Sequence, residues 1–306
     1  MTLPSSRYDY SFDPSDDSTA SRVCRLVGQG RQVLELGCAA GAMSAVMTHH
    51  YGCSVTGVEY DPAAAAEAKQ HCAQVHVLSL DEPGWEAALV PAVFDTVVAA
   101  DVLEHLRDPH ACLRTLRAIL PADGQLVVSV PSLANSGVLA GLLLNRFDYC
   151  EVGLLDRTHI HFFTTATLGE ALVQAGFEVT DVQTIDASDW HPEFAHLWKG
   201  LPEALQAWLK QNPAGQAFQV VMRAVPSEAP AAFVDPFQES QRAWLNQFPA
   251  LPNVDDGTLS GASGPAAAAS AAPQALVAPT MPTPWWRRWF AGRQSEAGGR
   301  SDADGS

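Results

Sequence analysis

The chain has 306 residues and, with 34 acidic side chains against 18 Lys and Arg, a formal charge of -16. That balance, with lysine only at 69, 199 and 210, disfavours a nucleic-acid partner, because phosphate neutralisation takes clustered basic side chains. The central apolar run, 138–144, is far short of the roughly 20 residues that cross a bilayer, and no basic start followed by an apolar stretch opens the chain, so a cytoplasmic setting is expected.

Residues 1–20 read as a flexible N-terminus and 21–225 as the folded domain. Residues 32–36 form a short apolar strand ending at Gly37, and 41–51 follow as a helix. A second strand, 54–59, leads to Pro62 at a first helical position and to an Ala-rich helix over 63–72. A third strand at 75–80, a short helix at 85–89, a fourth strand at 94–100 and a helix at 110–120 continue the alternation. The turn at 122–124 introduces a fifth strand, 125–130. Residues 131–163 are too long for an ordinary connection and predict a lid or acceptor insertion. Its run 138–144, with Phe147 and Tyr149, is read as an apolar wall or as a small packed helix. A helix over 166–175 stops at Gly176, and 177–185 with 218–224 are expected as an antiparallel closing pair.

Strands this apolar, separated by helices, predict a doubly wound α/β domain on a mostly parallel seven-stranded sheet. Ligands in such a sheet sit beyond the carboxyl ends of the strands, where strand order reverses. That rule singles out 37–41, 59–61, Asp81, 101–105 and 131–132. Glycines in the first of these permit a tight turn and let backbone N–H groups approach a ligand. Glu59 ends the second strand, where a carboxylate accepts from both ribose hydroxyls, and Asp81 is placed to accept from an adenine amino group. Singly, each has an ordinary explanation as a turn or a helix cap; three such residues at three successive strand ends make an adenosine pocket. A dinucleotide site uses the same geometry, but Ala39 stands where backbone must approach a pyrophosphate. None of the five tyrosines has a lysine four residues on, which further disfavours an NAD-dependent dehydrogenase or epimerase.

Glu35-x-Gly37-x-Ala39-x-Gly41, Gly57-Val58-Glu59-x-Asp61 and the run 94–106 through Asp101-Val102-Leu103-Glu104-His105 resemble class I S-adenosylmethionine-dependent methyltransferases, which are Rossmann-like. The run from Asp156 to Thr164 resembles a subgroup associated with cell-surface glycan biosynthesis, and ubiquinone-type O-methyltransferases share the earlier motifs. The resemblance covers residues 20–225 and implies S-adenosyl-L-methionine as cofactor. Glu35, Gly37 and Gly41 would flank its methionine part, Glu59 would hold the ribose, Asp81 the adenine, and Asp101 would lie beside the sulfonium, with Cys38, Ala39 and Tyr60 in the same pocket. The family usually carries glycine where this chain has Ala39.

Methyl transfer needs an acceptor aligned in line with the donor and, for a hydroxyl, removal of its proton. His105, just after the fourth strand, and His159 and His161, two apart on an extended segment and so facing one way, are the candidates. Each has a plain structural alternative: Glu104-His105 as the cap of the loop into the next helix, and one of the later pair packed against Phe162. Asp156 and Arg157 are read equally as a surface ion pair. No metal ion is expected, because His49-His50, Asp156 and the His159/His161 pair lack a complete ligand spacing. Nor do the six cysteines, at 24, 38, 53, 72, 112 and 150, contain a C-x-x-C pair, which favours reduced thiols. The expected activity is methyl transfer to oxygen of a small-molecule or glycan-precursor acceptor, the alternative a module that holds the cofactor or a partner without turnover. From 226 the composition shifts; 18 of the 24 residues over 261–284 are Ala, Pro, Gly or Ser, too polar and small to offset chain entropy, which predicts a disordered tail. Its end, 284–290, with three Trp, one Phe and two Arg, suits a weak membrane-surface or protein contact.

Overall fold

The computed structural model describes residues 12–187 and 191–247. Two compact units divide the chain, 1–250 and 251–306, and the first contains all the described residues. The expected tail features at 261–284 and 284–290 lie outside them.

In chain order the elements are α1 (Thr19–Val27), β1 (Gln32–Leu36), α2 (Ala42–His49), β2 (Ser54–Glu59), α3 (Pro62–Ala68), β3 (Gln74–Val77), β4 (Thr96–Ala100), α4 (Pro109–Ile119), β5 (Gln125–Pro131), α5 (Ser136–Leu143), α6 (Thr165–Gln174), β6 (Phe177–Asp186), α7 (Ala195–Trp198), α8 (Glu203–Leu209), β7 (Ala217–Pro226) and α9 (Gln238–Leu245). The sheet order is β3-β2-β1-β4-β5-β7-β6. The first five strands are parallel, and β7 is antiparallel to both β5 and β6. This is the Rossmann-like, doubly wound sheet with its closing pair.

Local chemistry sets the helix starts. Asp61 accepts from the Ala63 N–H ahead of Pro62, and Asp108 accepts from Ala111 N–H (2.8 Å) ahead of Pro109; side-chain acceptors satisfy donors that a first helical turn leaves orphaned. Ser18 caps α1 in the same way, so ordered chain crosses the boundary expected at residue 20. All seven residues of β5 are buried, as a strand covered on both faces requires. The strand alternation divides the core: Val33 packs with Val23, Val27 and Met47 of α1 and α2, whereas Leu34 and Leu36 join Leu113, Leu116, Leu168 and Leu172 of α4 and α6.

The insertion at 131–163 packs against a second segment of the chain. The connection from β6 to β7 supplies α7 and α8, whose Phe194, Leu197, Trp198 and Leu209 form a separate core with Val138, Ala140, Leu154 and Leu155. Of the expected apolar wall, Val138 and Ala140 are buried there, and Leu142, Leu143, Phe147 and Tyr149 are exposed. The packed chain also continues past residue 225. Phe233 covers Gly169 of α6, and Trp244 of α9 stacks on Trp208 of α8 with ring centroids 4.1 Å apart. Among the described residues no helix is long and apolar enough to cross a membrane.

Candidate active site

Strand order reverses between β1 and β4, so a crevice opens beyond their carboxyl ends. The loop leaving β1 is held in left-handed backbone at Gly37 (φ 64°), Ala39 (φ 46°) and Gly41 (φ 89°). Glycine is required at the two ends for packing as well as for φ: a Cβ on Gly37 would lie 2.9 Å from Val102 Cγ2, and one on Gly41 3.0 Å from Ala68 Cα. The loop therefore touches both the segment after β4 and helix α3. Cys38, buried, donates its N–H to Val58 O (3.1 Å), and its thiol fills the space that Gly57 leaves open.

Ala39 is the unusual member, since a left-handed non-glycine residue costs roughly 1–2 kcal/mol. Its N–H donates to Glu59 Oε2 (2.9 Å), and Asp61 N–H donates to Glu59 Oε1 (2.9 Å). Glu59 is buried, so both charge-assisted bonds are shielded and strong. Each oxygen keeps a second acceptor site. The Ala39 conformation is thus held by the carboxylate at the end of β2. Tyr60, beside it, is 77% exposed.

Glu35 lies in β1 with 1% of its surface exposed. Ser44 of α2 donates its hydroxyl to Glu35 Oε2, and Glu35 Oε1 has no hydrogen-bond partner among the described residues. Burial pushes this carboxyl up to about 8, against the Ser44 bond, which pulls it down. Asp81 has partners of its own: Oδ1 accepts from Arg107 N–H (2.9 Å), and Oδ2 lies 3.8 Å from the Arg107 guanidinium. It ties the segment after β4 to the end of β3.

On the other side of the crevice Asp101, also left-handed (φ 52°), donates its N–H to Ser129 O and accepts from Ser129 Oγ, both at 3.0 Å. A turn at Leu103–His105 follows. The Glu104 carbonyl accepts from Ile160 N–H (2.9 Å) and His161 N–H (3.0 Å), which lays the 158–163 segment alongside that turn. His105 Nδ1 is 3.2 Å from Thr158 O, and His159 Nδ1 is 2.9 Å from Leu154 O. The two rings meet edge to face at 4.8 Å, and His161 Nε2 lies 3.3 Å from Arg107 O. His105 and His159 are therefore brought together, whereas His161 turns to Arg107, so the 159/161 pair does not share the neighbour that an extended segment predicted. Burial, then the neighbouring His159, holds His105 below the usual imidazole range.

The plain alternatives fare unevenly. Asp108, not Glu104, caps α4. Arg157 pairs with Glu151 at 2.6 Å, and Asp156 is buried and accepts from Thr158, so the 156–157 pair is not a surface ion pair. His159 does contact Phe162, at 6.4 Å between ring centroids.

Glu104 is the residue that sequence reasoning passed over. It is 1% exposed, and both carboxylate oxygens lack a hydrogen-bond partner among the described residues. Burial and the charges of Asp101 and Asp156 hold its carboxyl well above the usual range. The available signal was a glutamate set among Val102, Leu103 and Leu106. One ligand atom from each of Glu104, His105 and His159 lies within 4.8 Å of the other two, a grouping that chain spacing hides.

A methyltransferase-domain family model matches residues 18–182, more than half of the chain. The mitochondrial ubiquinone biosynthesis O-methyltransferase of Schizosaccharomyces pombe is 34% identical over 160 residues, which cover 51% of this chain and 58% of that protein. The ubiquinone biosynthesis O-methyltransferase of Xanthomonas euvesicatoria is 29% identical over 174 residues, 54% of this chain and 70% of that one. Magnesium protoporphyrin IX methyltransferase from Synechocystis, solved with bound SAH, is similar with a TM-score of 0.47 at 16% identity, over 68% of this chain and 82% of that one.

Proposed function

The chain belongs to the methyltransferase-domain family that spans its residues 18–182, an S-adenosylmethionine-dependent methyltransferase, and we propose that it methylates oxygen on a small-molecule or glycan-precursor acceptor. The observation that carries this reading is Glu59, fixed by the Ala39 and Asp61 N–H groups beside the switch point. Its two remaining acceptor sites fit a ribose diol, and the unpartnered Glu35 Oε1 fits the ammonium of an amino-acid moiety. When bound, S-adenosylmethionine supplies the methyl group: its S–CH3 bond breaks as the acceptor O–CH3 bond forms, and S-adenosylhomocysteine remains.

The chain's own residues bind and align. The loop 37–41 and Glu59 hold the nucleoside end, and Asp101 marks the boundary with the acceptor. We assign the acceptor side to His105 and His159, with His161 farther along the same segment, and place its cover in a lid formed by α5, α7 and α8. Oxygen as the receiving atom is supported by the named activity of the ubiquinone O-methyltransferases. All six cysteines are free, which supports the cytoplasmic setting.

The test combines binding and turnover. S-adenosylhomocysteine is expected to raise the melting temperature, and radiolabelled methyl from S-adenosylmethionine is expected in a phenolic or lipid-linked sugar acceptor. Binding without label transfer to any acceptor class would favour the cofactor-holding module instead.

A further inference from the structure

We propose that Glu104, His105 and His159 form a binding site for one divalent first-row transition cation, with open coordination positions directed to the acceptor. Three independent features meet there. The first is the Glu104 carboxylate, 1% exposed with neither oxygen hydrogen-bonded among the described residues. Burial disfavours the charged form of such a carboxyl, and a cation that displaces its proton would supply the matching charge. The N–H groups of Ile160 and His161 go to the Glu104 carbonyl and not to its side chain.

The second feature is the orientation of the imidazoles. His105 Nδ1 meets the carbonyl of Thr158, and His159 Nδ1 meets that of Leu154. A carbonyl only accepts, so Nδ1 carries the proton in each neutral ring and Nε2 carries the lone pair. A ring nitrogen donating to a backbone carbonyl is the outer-shell arrangement that fixes metal-ligating histidines. Asp156, which accepts from Thr158 N–H and Oγ1, braces the segment that presents both carbonyl contacts.

The third feature is distance. The three ligand atoms lie within 4.8 Å of one another. Ligand bonds of about 2.0–2.2 Å set donor pairs no more than roughly 4 Å apart, so a bound cation would draw the set inward by about an ångström. Two imidazoles and one carboxylate make a borderline donor set that suits zinc, cobalt, nickel or iron(II) better than magnesium or calcium. Three protein ligands leave positions open, as in catalytic sites.

The role follows if the methyltransferase reading of the same crevice holds. A hydroxyl oxygen ligated to the cation holds its proton less tightly and releases it to solvent, as metal-bound water does. The cation then takes the place of an imidazole base, and an acceptor with two adjacent oxygens is favoured because it chelates.

Cobalt(II) is the probe, because its visible absorption reports coordination without turnover. Full-length protein, first dialysed against a chelator, is expected to take up one cobalt per chain with a protein-dependent absorption band that zinc displaces. Glu104→Gln and His159→Asn should each weaken cobalt binding at least tenfold. His105→Asn, at the half-buried position, should do the same and guards against misfolding of the buried variants. S-adenosylhomocysteine binding, followed by thermal shift, separates the two claims: cobalt binding without it would sink the cofactor reading and leave the cation site. Absence of the cobalt band, or undiminished affinity in folded Glu104→Gln and His105→Asn, overturns the proposal.

Discussion

Glu59 holds the loop with both carboxylate oxygens, and the ribose contact proposed for it can be tested at the same residue. It binds Ala39 and Asp61 N–H groups at 2.9 Å, and the left-handed Ala39 has no intrinsic reason to stay there. Glu59→Ala should therefore loosen the loop and remove the ribose acceptor together, weakening S-adenosylhomocysteine by roughly 100-fold for two charge-assisted bonds. Calorimetric titration reads this directly; an affinity within a factor of two of the parent would remove Glu59 from the site. Glu35 makes a different prediction. Its folded carboxyl is pushed from 4.5 to about 8 by burial, so between those values the unfolded chain releases a proton that the folded chain retains. The Glu35 contribution to stability is full below the lower value and is lost as pH rises through the upper one, at about 1.4 kcal/mol per pH unit. Glu35→Gln should flatten the unfolding free energy across that window in urea titrations. A slope equal to the parent's would mean that Glu35 is ionised in the fold. Both residues were legible in the sequence because each stands on or at the end of an apolar strand. Glu104 was not, since His159, which comes near it, is supplied by a distant segment.

The central strands β1, β2, β4 and β5 were readable because each is a short apolar run stopped by glycine, proline or an acidic residue, and tertiary packing agrees with that local pattern. The closing pair was readable from β-branched and apolar residues alternating with polar ones after Gly176, with β7 inserted between β5 and β6. The lid was not. Its core joins two segments, one on each side of α6 and β6, and α7 has only four residues, too few to show a helical period. Gly137 marks the place where the halves meet: a Cβ there would lie 2.3 Å from Phe194 Cγ and 2.7 Å from Phe194 Cβ. The near end of that side chain cannot swing away, so Gly137→Ala forces α5 and α7 apart. The expected cost is about 1–3 kcal/mol for overpacking, despite the better helix propensity of alanine. Denaturant titration should show the loss, and Gly137→Ala combined with Phe194→Leu should recover part of it. A stabilised Gly137→Ala protein would mean that the two halves do not pack as described.

At the scale of the molecule, the question is where the folded unit ends. Composition placed the boundary at 225, because proline and alanine dominate the residues just beyond it. The structure carries packing contacts past that point. Arg117 of α4 pairs with Glu228 at 2.6 Å, Phe233 lies over Gly169 so closely that a Cβ there would be 2.3 Å from its ring, and Trp244 stacks on Trp208 while donating its indole N–H to the Trp208 carbonyl at 3.1 Å. The exposed ion pair contributes little; the two aromatics carry the effect, on the order of 3–5 kcal/mol each for large aromatic truncation. Phenylalanine at 233 and tryptophan at 244 were the available signals, with Val234, Phe237 and Leu245 around them but without enough periodicity to read as packed. Two truncations isolate the contribution, since chains ending at 225 and at 247 differ only in the segment in question. The shorter is expected to melt at least about 8 °C below the longer, because each kcal/mol moves a domain of this size by roughly 2–4 °C. Trp244→Ala in the longer chain should account for a third or more of the difference. Equal melting temperatures for the two truncations would return the boundary to 225 and make the Trp208–Trp244 stack a contact without energetic weight.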